Sequence, residues 1–423
     1  MPQRAEAAIT GQSTRIDNDG FNHTQTRVRD GIVGQGLHFD GPRVVVRLWS
    51  AWPACGRAMH LFMMIRRIAV LSNIRLSRLL YPALFVMLTA CTTQEAPPPA
   101  PPTRHPDLAR LVPADQTVTI AGVGAVPLRI WPARSAERAV ILALHGFNDS
   151  RDAWERPAPA LNAAGMTIIA PDLPGFGQTV QRGGWVGTDA LLRTASTLVI
   201  TIGREHPGMP VYVVGESMGG ALAIMLASQP DTPPVAGYIL LAPAVWDLDT
   251  GTRTTTHLLA ALAPRWRLSG RELPVHVTAA DNMLALARLY YDPLTLRDTS
   301  TVALSGLTDL MHRAARADAH MAGRVLVIYG GHDQIIPAPA MARAWRRMPQ
   351  ATRHDYIPGG YHLLLRSHNA EQITADMTHW IINPDSFLPS GGDMAAAAWM
   401  ADQKGRSAPP PIVPGWMDWI TPQ

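Results

Sequence analysis

The chain has 423 residues, 47% of them apolar and 17% charged, with a formal net charge of +4. That length suits one large α/β domain or two smaller ones, and the apolar share excludes a disordered or fibrous chain. The positive charge is no nucleic-acid footprint, because the first 90 residues carry eleven Arg against five acidic residues and leave the remainder slightly acidic.

Residues 1–58 show neither a strong period nor a secretion signal, and they read as an extension without a fold, upstream of a start at Met59, Met63 or Met64. In 59–91, Arg66, Arg67, Arg75 and Arg78 precede an apolar run from Leu79 to Ala90. That run is short for a bilayer span and fits the apolar region of a signal peptide. Its ending, Leu88-Thr89-Ala90-Cys91, resembles the bacterial lipoprotein signal. The resemblance implies acylation of Cys91, and Thr92 in place of an acidic residue implies a lipid-anchored protein of the outer membrane facing the periplasm. A buried helix ending in a stray cysteine is the alternative. Residues 92–105 are Pro-rich and read as an extended tether. Cys55 is the only other cysteine, so no disulfide is expected.

From 106 to 383, short apolar runs alternate with helical patterns, as in a mostly parallel sheet covered on both faces. Buried strands are expected within 139–146, 166–175, 210–217, 235–244 and 324–333, after a leading hairpin over 117–120 and 126–131. Helices are expected over 154–164, 188–206, 218–228, 338–348 and 370–382. Between 247 and 322 no strand pattern appears, only helical segments over 257–262, 279–289 and 304–317. That insertion reads as a helical cap over the carboxyl edge of the sheet, where open α/β sheets bind ligands. Its apolar residues, among them Leu284, Leu286, Tyr290, Leu310 and Met311, suit either an acyl chain or ordinary helix packing. Residues 384–423, rich in Pro, Gly and Trp, are expected to be irregular.

Gly215-Glu216-Ser217-Met218-Gly219 joins a strand to a helix, the context of a nucleophile elbow. Gly215 and Gly219 let the strand and helix approach, and the helix N-terminus offers free N–H groups to an oxyanion. A serine needs a base, and the base an orienting acid. Asp333 follows a strand end beside Gly330 and Gly331, and His362 follows a later short strand. The order Ser217, Asp333, His362 is the order this kind of sheet uses. A helix-capping role for Asp333, a loop role for His362, and Asp247 or His332 as rival partners are the alternatives. Residues 144–150 supply a donor loop: His145 and Gly146 make the turn and Phe147 offers its N–H opposite that of Met218. His145 reads as an orienting residue ahead of a second base. Residues 172–179 read as a tight loop or as the edge of a substrate pocket.

Together, HGFNDS, DLPGFG, GESMGG, GGHDQIIP and GGYHLLL resemble the α/β-hydrolase superfamily, in particular its monoacylglycerol lipase and lysophospholipase branch, over residues 117–383. YYDPLTLRDTS (290–300) resembles that branch's cap segment. The resemblance implies an α/β-hydrolase fold with a mostly parallel central sheet, helices on both faces and a helical cap. It also implies a serine hydrolase cleaving carboxylic esters of lipids through an acyl-enzyme on Ser217, His362 and Asp333. Glu216 in place of the commoner His, and Leu173-Pro174-Gly175-Phe176-Gly177 in place of H-x-G-H-G, depart from the branch. An acyltransferase, thioesterase or peptidase would use the same triad, and a non-catalytic envelope lipoprotein is the reading from another class. No metal-ligand spacing or dinucleotide fingerprint is present, so neither a metal nor a cofactor is expected. The partners expected are a small apolar ester and, through the anchor, a membrane.

Overall fold

The computed structural model describes residues 107–269 and 277–405, with side chains as far as Gln403. The extension, signal, Cys91 and tether expected over 1–105 lie outside the described residues.

The described chain opens with a hairpin, β1 (Gln116–Ile120) and β2 (Gly124–Trp131), paired antiparallel. Next come β3 (Ala139–Leu144), α1 (Ala158–Ala163), β4 (Met166–Pro171), α2 (Thr188–Glu205), β5 (Val211–Glu216), α3 (Met218–Ala227) and β6 (Gly237–Leu241). An insertion follows, built from α4 (Thr250–Leu262), β7 (Arg267–Ser269), α5 (Met283–Tyr291), β8 (Asp298–Ser300) and α6 (Thr301–Ala317). The main fold resumes with β9 (Val325–Gly330), α7 (Ala338–Arg347), β10 (Arg353–Ile357), α8 (Ala370–Ile382) and α9 (Gly392–Gly405).

Among the described residues, eight strands form one sheet in the order β1-β2-β4-β3-β5-β6-β9-β10. Pairings from β4 to β10 are parallel, and β1-β2 and β2-β4 are antiparallel. All six residues of β3 are buried, because both faces of a parallel sheet are covered. Their side chains alternate: Val140, Leu142 and Leu144 join the core shared with α2, α3, α6 and α7, while Ala139, Ile141 and Ala143 join the core shared with α1 and α8. Every residue of α3 is buried, since it lies between the sheet and α6.

Three findings differ from the sequence reading, and one decides between its alternatives. The helix expected over 154–164 begins only at Ala158, after a 3-10 turn at Arg151–Trp154, because Pro157 resists a preceding helical residue and fits the helix start. The insertion contains strands: β7 and β8 pair antiparallel, and Arg267 grips Asp298 Oδ1 through Nε at 2.9 Å and Nη2 at 2.7 Å. Leu310 and Met311 are 0% and 7% exposed in the main core, so they pack α6 onto the fold, whereas Leu284 is 69% exposed. The tail expected to be irregular from 384 forms α9. Its alanine run favours a helix, and Trp399 stacks on Tyr356 of β10 at 5.1 Å. Among the described residues no helix is long and apolar enough to cross a membrane.

Candidate active site

β5 ends in Glu216, and Ser217 takes φ 52° and ψ −110° before α3 starts at Met218. A non-glycine residue there carries on the order of 1–3 kcal/mol of backbone strain, so its surroundings must hold it. They do so through the main chain. Ser217 N–H donates to Leu241 O at 2.9 Å, and Ser217 O accepts from Ala221 and Ala244 N–H, both at 3.0 Å. The flanking glycines are required by close approach: a Cβ on Gly215 would sit 2.3 Å from the Gly219 carbonyl carbon, and one on Gly219 would sit 2.2 Å from Leu144 O. The strain is thereby tied to the crossing of α3 over β5 and β3, and the serine side chain is left partly exposed.

The donor loop follows β3. His145 is fully buried, its Nδ1 lies 2.7 Å from Gly146 O, and its Nε2 accepts from Leu173 N–H at 3.0 Å. An Nε2 acceptor requires Nδ1 to carry the proton and donate it to Gly146 O. Burial holds this imidazole below its ordinary pKa, against the opposing charge of Asp149, so the ring stays neutral. Both nitrogens are engaged, which makes His145 a structural residue and not a base. In a trans peptide the carbonyl and the next N–H point opposite ways. Tying down Gly146 O therefore turns the Phe147 N–H away from His145. The Phe147 ring packs edge-on against Phe176 at 5.5 Å, and Phe176 packs against His145 at 5.6 Å. A Cβ on Gly146 would lie 3.6 Å from Ser217 Cβ, so this loop abuts the serine. Among the described residues, no protein acceptor takes the N–H of Phe147 or of Met218; the latter opens α3 and has no partner within it.

Asp333 and His362 come from loops after β9 and β10, neighbours in the strand order on the side of β5 that also holds β6. His362 Nδ1–H donates to Asp333 Oδ2 at 2.8 Å, with the residues 3% and 9% exposed. Asp333 Oδ1 accepts from the N–H groups of Ile335 and Ile336 at 2.8 and 2.9 Å. The acid therefore closes its own turn with one oxygen and orients the imidazole with the other, which leaves Nε2 as the acceptor nitrogen. The rival acid Asp247 is 2.5 Å from His312 of α6 instead. His332 packs edge-on against Tyr361, and only its backbone joins the site, donating to Gly360 O at 2.8 Å.

Sequence reasoning missed the charges beneath these loops. Arg366, in a 3-10 turn four residues after His362, grips Asp149 through Nη1 at 2.6 Å and Nη2 at 3.1 Å. Its Nη1 also lies 3.6 Å from Glu216 Oε2. Burial raises the Glu216 carboxyl to about 7, with Arg366 pulling it down and Asp149 pushing it up. On the far side of the loop, Arg151 pairs with fully buried Asp172, and Asp172 also accepts from Gln178 N–H at 2.8 Å. The insertion adds the rim. Leu296 N–H donates to Asn148 O at 2.9 Å, Thr278 N–H to Gln334 Oε1 at 2.9 Å, and Leu363 N–H to Ala279 O at 2.8 Å. Residues 278–296 are thus bonded to the donor, acid and base loops alike.

An alternating α/β sheet with a strained serine turn, a buried Asp–His pair and two unengaged amides defines the serine hydrolases of the α/β-hydrolase fold. The chain belongs to the family described as Serine aminopeptidase, S33, whose model matches residues 135–369. It is 26% identical over 283 residues to the monoacylglycerol lipase of Mycolicibacterium smegmatis, covering 63% of this chain and 96% of that one. It is 27% identical over 262 residues to the monoglyceride lipase of Homo sapiens, covering 60% of this chain and 84% of the relative. A soluble variant of the monoglyceride lipase of Saccharomyces cerevisiae shares the fold, with a TM-score of 0.54, 21% identity, and 68% and 98% of the two chains covered.

Proposed function

We propose that this protein cleaves carboxylic esters of lipids, of the monoacylglycerol or lysophospholipid class, through an acyl-enzyme on Ser217. The observation that carries the reading is the buried His362–Asp333 bond at 2.8 Å, on the same sheet edge as the strained Ser217 turn. His362 Nε2 takes the Ser217 proton as Oγ attacks the ester carbonyl. The negative charge that forms on the carbonyl oxygen is met by the Phe147 and Met218 N–H groups and the N-terminus of α3. The protonated His362, stabilised by Asp333, then gives its proton to the departing alcohol. Water, activated by His362, attacks the acyl-serine, releases the acid and restores Ser217. The substrate class rests on the monoacylglycerol and monoglyceride lipases among the relatives.

Monoacylglycerols of graded chain length, lysophosphatidylcholine and p-nitrophenyl esters test the reading with the full chain. We expect turnover that falls at least ~10³-fold in Ser217→Ala; hydrolysis that survives this change contradicts it. The family's description favours one second reading, peptide cleavage. Release of p-nitroaniline from aminoacyl anilides faster than p-nitrophenol from esters would support that reading instead. We also propose that Cys91 is acylated and holds the domain at the outer membrane, as the 59–91 segment and the Pro-rich stretch after it support. Incorporation of labelled palmitate in cells, lost in Cys91→Ala, is the expected result; label retained in the variant contradicts it.

A further inference from the structure

The Arg366 cluster joins three segments that the proposed chemistry needs aligned. Asp149 lies two residues beyond Phe147 in the donor loop, and its Oδ1 also accepts from Ser150 N–H at 2.9 Å. Glu216 immediately precedes Ser217. Arg366 lies one helical turn beyond His362. All three residues are almost fully buried, at 5%, 3% and 8% exposure. Two carboxylates therefore share one guanidinium, and Glu216 Oε1 has no protein partner. A buried cluster with one charge uncompensated costs stability for its packing role alone, and apolar side chains would fill the same space more cheaply. The guanidinium of Arg366 lies beside Glu216, with Nη1 3.6 Å from Oε2.

We propose that Arg366 is a positioning residue whose guanidinium, set between Asp149 and Glu216, holds the serine turn, the donor loop and the base loop in register. The fork geometry matters because a planar guanidinium can bond both oxygens of Asp149 and still reach Glu216, which a lysine ammonium cannot do.

The inference rests on the roles proposed for Ser217 and His362, and the test separates the two. A fluorophosphonate first counts active sites in wild type, Glu216→Gln and Arg366→Lys; kcat and KM per labelled site are then measured, alongside melting temperature. For Glu216→Gln, which leaves Asp149 on the guanidinium, we expect a smaller loss of kcat per labelled site than for Arg366→Lys. For Arg366→Lys we expect kcat per labelled site to fall at least about tenfold with KM within about twofold. An Arg366→Lys variant that loses melting temperature while keeping the wild-type kcat per labelled site overturns the positioning role. A wild-type chain that takes no label overturns the hydrolase reading instead.

Discussion

Replacing Asp333 by Asn removes one charge and almost no volume, and the structure dictates which way the new amide must face. Asp333 Oδ1 accepts two backbone N–H groups, from Ile335 and Ile336, so the Asn carbonyl oxygen stays on that side. Its NH₂ then faces His362 Nδ1, where a carboxylate oxygen had accepted at 2.8 Å. Two donors cannot share that bond, so His362 moves its proton to Nε2, the nitrogen that must accept from Ser217. The loss combines the wrong tautomer with an unstabilised imidazolium, and triads of this type then lose about 10⁴ in kcat. That factor corresponds to about 5.4 kcal/mol of transition-state stabilisation. Stopped-flow acylation with a p-nitrophenyl ester, beside thermal melts, measures it. The turn keeps its two backbone bonds, so the melting temperature should barely change. A variant within about tenfold of wild type refutes the tautomer argument.

Three further outcomes follow from the geometry. His145→Ala removes the shorter of the two hydrogen bonds on the Gly146 carbonyl, the other coming from Asp149 N–H at 3.3 Å, and so loosens the Phe147 N–H; kcat should fall toward the ~10²–10³ lost when one oxyanion donor is removed, and an unchanged kcat rejects the orienting role. Gly219→Ala puts a methyl 2.2 Å from Leu144 O, a backbone atom that cannot move aside, so urea titration should show at least ~1–3 kcal/mol lost; a wild-type midpoint contradicts the close approach. Asp355 is buried between α8 and α9, and burial, with Asp376 and Asp393 nearby, raises its carboxyl to about 8. Its folded pKa lies above the unfolded value, so its contribution to stability is complete below about pH 4 and is lost as pH rises through about 8. Asp355→Asn should therefore melt increasingly above wild type between pH 5 and 9, and a constant difference across that range rejects the assignment.

How much of this was legible in the sequence depended on the kind of signal. The central strands announced themselves as apolar runs because both sheet faces are covered. The turn at Ser217 could be located because its two glycines are forced by backbone contact. Asp333 and His362 were legible as residues at strand ends that follow Ser217 in the fold's order, with Asp247 and His332 left as rivals until the Asp333–His362 bond was seen. Arg366 was not: its partner Asp149 is 217 positions away, and neither residue belongs to a pattern that reports the contact. The docking of 278–296 on the three loops uses mainly backbone bonds, which leave no side-chain signature. β7 and β8 are three residues each, too short for a period, and the Arg267–Asp298 pair that joins them is 31 positions apart in the chain. α9 was hidden because Pro, Gly and Trp dominate the tail as a whole, while the helix depends on the local run from Ala395 to Ala398.

The central claim, that Ser217 is the nucleophile, is tested most directly by mass spectrometry after fluorophosphonate treatment of the full chain. The account predicts one adduct, on the peptide containing Ser217, formed more slowly in Asp333→Asn and absent in Ser217→Ala. An adduct on a different residue, or equal labelling of Ser217→Ala, would contradict it.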